Sequence, residues 1–163
     1  AYRRQRQMCI RDRASHRGLL LDGSLHAAAG GSTAAGGSLQ VALETPVYAS
    51  STTDGSVLNV RRLVLGQSAT EEDVLAGVLP GEATSGLVYG QARVGADEIQ
   101  AGGFTDLTLF SHGVLALESG TRLATSQAMR LYGSLFDAAS SADEAAAVEL
   151  RAPYVMLLSL IHI

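Results

Sequence analysis

The sequence predicts an all-β fold in which short parallel strands coil into a solenoid, with a loop or short helix inserted around residues 66–92. Three observations predict it. Apolar residues alternate with polar ones in runs of about four to six, too short for helices of the same apolar content. The runs are separated by one or two Gly, Ser or Asp residues, which turn a corner and do not suit a hairpin reversal. The chain has 18 glycines, five tyrosines, three phenylalanines and no tryptophan, so at 47% hydrophobic it has the apolar mass for a core but suits thin, closely stacked layers. Three such strands make one rung of about 20 to 25 residues, the size of a solenoid repeat.

Gly37-Ser38-Leu39-Gln40-Val41-Ala42-Leu43-Glu44 is the clearest strand. Leu39, Val41 and Leu43 share one face, and Gln40, Ala42 and Glu44 the other. Asp22-Gly23-Ser24-Leu25 precedes it with a similar start, and Gly30–Gly37 between them reads as a turn. That run lacks the Lys-Ser/Thr ending of a phosphate loop. Asp54-Gly55 is a turn signal, the only such pair between plausible body strands. Leu58 and Val60, then Leu63 and Leu65, alternate on either side of Arg61-Arg62, and a corner there is expected to keep both arginines out of the core. Thr70–Ala76 reads as an N-capped helical turn with acids at its start, ended by Leu79-Pro80-Gly81.

The last part is the most periodic. Leu107, Leu115, Leu123 and Leu131 recur every eight residues, with breakers at Ser111-His112-Gly113, Ser119-Gly120 and Ser126-Gln127 between them. The residues expected to face inward are Leu39, Val41, Leu43, Leu107, Leu109, Leu115, Leu117, Val148 and Leu150.

Charge is unevenly spread. Arg3, Arg4, Arg6, Arg11 and Arg13 lie in the first 13 residues, while 14–157 carry 7 Arg against 15 acids, a net of −8, and lysine is absent throughout. An acidic, lysine-free body argues against nucleic acid as a partner. Cys9 is the only cysteine, so a disulfide framework is not expected. Residues 1–13 and 158–163 resemble translated sequencing-adapter sequence and are expected to be non-native. The native part is then 14–157. Arg3-Arg4 lacks the apolar run of a twin-arginine signal, and Val155–Ile163 is too short to span a bilayer.

The segments Leu19–Leu25, Gly36–Val41, Ala101–Leu109 and Arg151–Val155, in that order and with Leu79–Gln91 inserted between them, resemble the repeats of filamentous haemagglutinin-family exoproteins. The resemblance covers most of 19–157. It implies a right-handed parallel β-helix, two-partner secretion through an outer-membrane transporter, and a structural or adhesive role on the bacterial surface. The partners implied are the neighbouring rungs of the full-length protein and host or bacterial cell-surface glycans or proteins. It brings no catalytic motif, and no stretch here resembles the family's secretion domain.

No catalytic, cofactor or metal residue is assigned, and the chain reads as a non-enzyme. Asp97 and Glu98, taken as strand neighbours, face opposite sides and cannot act across one bond. Glu118, Arg122, Arg130, Glu149 and Arg151 fall on outward positions and read as a solvated surface or a ladder of ion pairs. His26 and His112 have no metal-ligand spacing. Ser111 and His112 are adjacent, which does not by itself give the geometry of a nucleophile and its base. The alternative is a β-helical polysaccharide lyase or hydrolase, which requires acids, or acids with an arginine, to converge on one outer face from successive rungs. Removing 1–13 and 158–163 is expected to leave far-ultraviolet circular dichroism and melting unchanged; loss of cooperative unfolding on trimming would show that those segments pack.

Overall fold

The structure is a computed structural model that describes residues 11–15, 19–20, 24–31, 34–44, 47–50, 57–68, 91–139 and 147–160. In chain order these form β1 (Arg11–Ser15), β2 (Leu19–Leu20), β3 (Ser38–Leu43), β4 (Val47–Ser50), β5 (Val57–Val60), β6 (Arg62–Gly66) and β7 (Gln91–Gly95). Helix α1 (Ala96–Gly102) follows, then β8 (Asp106–Glu118), β9 (Arg122–Ala124), β10 (Ala128–Ala139), β11 (Glu149–Arg151) and β12 (Tyr154–Ser159). The protein is mostly strand, and nearly all the pairing is parallel.

One ladder runs β1-β3-β8-β10-β12. Its register keeps like with like. Leu39, Leu107, Met129 and Val155 are partners in turn, as are Val41, Leu109, Leu131 and Leu157. The alternation seen in the sequence therefore becomes columns of apolar side chains on one side of the sheet. A second ladder runs β2-β7-β6-β8-β10, using the second halves of β8 and β10. A third consists of β9 beside β11. Asp106 and Ala128, 22 residues apart, are register partners, and Ala128 pairs in turn with Tyr154.

The predicted inward residues form the core. Leu39, Val41, Leu43, Leu107, Leu109 and Leu115 are at most 1% exposed. Leu117 and Leu150 are half-buried against the same cluster, and Val148 is half-buried. The eight-residue leucine series lies wholly inside, since Leu123 and Leu131 are buried as well. Burying each of these leucines contributes about 1.5–3 kcal/mol.

Corners are stitched by backbone hydrogen bonds that run from strand level to strand level. Thr105 N donates to Gly37 O, Gln127 N to Thr105 O, and Tyr154 N to Gln127 O, at 2.9, 3.0 and 3.1 Å. Ser119-Gly120 and Ser126-Gln127 are turns or bends, as their composition suggests. Ser111-His112-Gly113 does not break the chain: β8 runs through it, bending so that its first half pairs with β3 and its second with β6.

The structure departs from the sequence reading in further places. Arg61 is only 6% exposed, so the corner at Arg61-Arg62 buries one of its two arginines; Arg61 O accepts from Val114 N at 2.8 Å, which ties that corner into the stack. Asp97 and Glu98 lie in the first turn of α1, not on a strand. Acids there are favoured by the positive end of the helix, Ala96 and Ile99 turn inward, and Gly103 closes the helix at φ 70°, a conformation glycine adopts without a Cβ penalty. β4 and β5 form an antiparallel hairpin around the Asp54-Gly55 signal, branching from a stack otherwise parallel. Lastly, β7 sits between β2 and β6, so the chain steps back past β6 before descending to β8.

The helical turn expected at Thr70–Ala76 lies outside the described residues. The expected 66–92 insertion is bounded by strands on both sides, because Gly66 ends β6 and Gln91 opens β7. β1 includes Arg11–Arg13 and β12 includes Leu158 and Ser159, so strands cross both of the boundaries expected for the native part.

Gly113 tests the tightness of the corner. A Cβ placed there meets the backbone carbonyl of Arg61, which cannot swing aside as a side chain would. Gly113→Ala should destabilise the fold by about 1–3 kcal/mol. Gly31→Ala, where a Cβ meets nothing within 4 Å, should change it by less than about 0.5 kcal/mol. Urea unfolding midpoints of the two variants give the comparison.

Candidate functional site

The outward side of the second ladder carries two ion pairs, each between strands that are not neighbours. Arg93 on β7 holds Glu118 on β8 through two parallel bonds, Nη1 to Oε1 and Nη2 to Oε2, both 2.5 Å. Its Nε donates to Ser68 O at 3.0 Å. The two side chains are 19% and 32% exposed. β7 and β8 are not neighbours, because β6 lies between them, and the pair crosses β6 at Gly66. A Cβ on Gly66 meets Glu118 Oε2 and Arg93 Nη2. The glycine is therefore the space through which the clasp closes.

The same arrangement recurs one strand lower. Arg62 on β6 pairs with Asp137 on β10, and the strand between them is β8. In both clasps the acid lies two register positions beyond the arginine's own. Arg93 is level with Val64 and Ala116, two before Glu118; Arg62 is level with Val114 and Leu135, two before Asp137. Ala116 occupies the crossing point of the second clasp and is 1% exposed despite its outward position. Each clasp ties three strands with one ion pair.

Elsewhere the pairs are looser. Arg122 and Glu149 are register partners on β9 and β11 at 3.7 Å, and Arg151 also reaches Glu149. Arg130 lies 3.8 Å from Asp106, with its guanidinium 5.7 Å from the centre of the Tyr154 ring. Arg122 and Arg151 are more than three-quarters exposed, so these contacts contribute little. Of the five charged residues singled out in the sequence, Arg122, Glu149 and Arg151 meet one another, while Glu118 and Arg130 find partners outside that set.

Gln67, just past β6, has no counterpart in the sequence reading. Its Nε2 donates to Asp97 Oδ1 at 2.6 Å, and its Oε1 accepts from Arg122 N at 2.8 Å. It thereby joins the start of α1 to the start of β9, and α1 packs on β9. No pattern in the sequence marks this glutamine, because both partners are remote from it.

Ser111 and His112 do not cooperate. Ser111 is fully buried and its Oγ accepts from Gly113 N at 3.2 Å, within its own bend. His112 points outward, with Nδ1 against Glu44 O and its ring 4.7 Å from that of Phe110. Alternation along β8 sends the two side chains to opposite sides. His26 is exposed. Among the described residues no three His, Cys, Asp or Glu side chains group closely enough to hold a metal ion. No helix among them is long and apolar enough to cross a membrane.

Acids and arginines do converge on one outer face, as a carbohydrate-active site requires. They converge as closed pairs, however: both oxygens of Glu118 are taken by Arg93, and Asp137 is held by Arg62. Each pair fastens one strand to another across the strand between them. No family model, no curated protein and no solved structure matches the chain.

Glu118→Ala should destabilise the fold by about 1–2 kcal/mol by removing the carboxylate to which Arg93 Nη1 and Nη2 donate. Gly66→Ala should do so comparably by wedging the clasp open, and the double variant should lose less than the sum. Thermal unfolding of the four proteins checks the coupling; strict additivity would show that the clasp and the glycine act separately.

Proposed function

We propose that this chain is a right-handed parallel β-helical segment of a large secreted bacterial surface exoprotein, with a structural and adhesive role and no catalysis. The observation that carries this reading is the constant register of β3, β8, β10 and β12. An apolar column repeated strand after strand is how a solenoid extends, since each rung contacts only its neighbours. The 22-residue return from Asp106 to Ala128 has the length of one three-stranded rung. The order of the segments resembling filamentous haemagglutinin-family repeats supports the same reading.

The role follows from the mechanics. A stack fastened by hydrogen-bond ladders and by clasps spanning three strands is stiff along its axis and resists the peeling of single strands. Such a body suits the shaft of an exoprotein that holds binding regions away from the cell. Its partners are the neighbouring rungs of the full-length protein, the outer-membrane transporter during export, and host or bacterial surface glycans or proteins. The alternative, a fragment of a polysaccharide lyase or hydrolase, draws on Arg62, Arg93, Glu118 and Asp137, and their one-to-one pairing favours the structural role.

Rung insertion tests the reading. Three tandem copies of residues 106–127 placed before Ala128 should lengthen the particle by about 14 Å, one strand spacing per copy, with cooperative unfolding kept. Small-angle scattering reads the length. Unfolding, or a particle that thickens without lengthening, would sink the solenoid. Fused behind a two-partner secretion domain, the chain should reach the outside of cells that carry the matching transporter and become protease-sensitive there; retention inside would count against the exoprotein role.

A further inference from the structure

Strand β7 stands out of chain order in its ladder. The chain passes from β6 to β7 to β8, yet the order in the sheet is β7-β6-β8. β7 therefore lies beyond β6 from the long strand that follows it. Its packing is also the lighter. The inward residues of β7 are Ala92 and Val94, both 2% exposed. They are in register with Leu63 and Leu65 of β6, which are in register in turn with Leu115 and Leu117 of β8. An alanine and a valine stand where the next two strands each place two leucines, so β7 removes less apolar surface from water. On its other side, among the described residues, β2 meets it at two positions, Leu19 beside Ala92 and Leu20 beside Arg93.

The remaining hold on β7 is polar and falls on one side chain. Arg93 reaches across β6 to both oxygens of Glu118, and its Nε donates to Ser68 O. Just past the strand the chain is pinned. Ala96 and Ile99 of α1 are 0% and 2% exposed, and Gln67 O accepts from Asp97 N at 3.0 Å. β7 is thus a lightly packed strand with a fixed anchor at its C-terminal end and a single charged fastening in its middle. We propose that β7 is a latched strap: it opens as a unit when the Arg93–Glu118 clasp parts, while α1 and the β3-β8-β10 ladder stay closed. Opening bares the edge of β6 over Arg62–Gly66, with Leu63 and Leu65 at its inward positions, an edge that another strand can join. This rests on strand order, register and the clasp, and it stands whether or not the chain serves as a shaft.

Native-state hydrogen exchange of the full chain, read by mass spectrometry on fragments covering 91–95 and 128–133, tests it. The 91–95 amides should exchange faster than those of 128–133. Their rate should change little in dilute urea, because a small opening exposes little surface. Glu118→Ala should speed exchange at 91–95 by roughly five- to thirty-fold. Leu131→Val alters a 0%-exposed position on β10, with β8 and β6 between it and β7. It should speed 128–133 and leave 91–95 unchanged. Circular dichroism verifies the fold of each variant, and the urea series on the unaltered chain decides the matter should a variant not fold. Exchange at 91–95 that matches 128–133, rises steeply with urea and follows Leu131→Val would show that β7 opens only with the whole stack, which overturns the proposal. Exchange at 91–95 that ignores Glu118→Ala overturns the latch.

Discussion

Parallel pairing in a fixed register is the constraint on which the rest of this structure depends. Once Leu39 is set beside Leu107, and Leu107 beside Met129, every residue of three strands is committed to the inside or the outside. A slip of one residue would turn each apolar column outward and bring Gln40, Thr108 and Arg130 into the core. The corner hydrogen bonds from Gly37 through Thr105 to Gln127 hold the same register at the turns, so side-chain packing and backbone pairing specify one answer.

Charge is arranged in service of that stack. The outward positions of the second ladder could have been a plain solvated surface. Instead, Arg93–Glu118 and Arg62–Asp137 each cross an intervening strand over a small residue, Gly66 or Ala116. A pair between adjacent strands reinforces one ladder step, whereas a pair that spans three strands opposes the loss of the middle one as well. β6 carries Gly66 under one clasp and Arg62 in the other, so the strand that the chain passes between β7 and β8 takes part in both.

Much of the fold was legible from alternation. Leu39, Val41, Leu43, Leu107, Leu109 and Leu115 are buried because period-two patterning reports the side on which a strand residue lies, wherever that strand goes. The Ser119-Gly120 turn was readable for a similarly local reason. The α1 segment was misread. Asp97 and Glu98 at a helix start, with Gly102-Gly103 at its end, are a legible helical signal, but the segment is so short that strand and helix patterns compete within it. Arg61 was misplaced because a corner exposes or buries a side chain according to what stacks on it, and local sequence does not carry that information.

The sequence by itself determined the inward faces of β3, β8 and β10 and the turn at Ser119-Gly120, because these follow from contacts a few residues apart. Only the tertiary structure decided which strands lie side by side. That choice put β7 out of chain order, gave Glu118 its partner 25 residues away, gave Arg62 its partner 75 residues away, and let Gln67 join α1 to β9. Alternation fixes the side on which a charge emerges but not its neighbour across the ladder. The neighbour depends on the order of strands in the stack, and many orders share the same inward pattern. The long-range packing of the whole chain selects one of them.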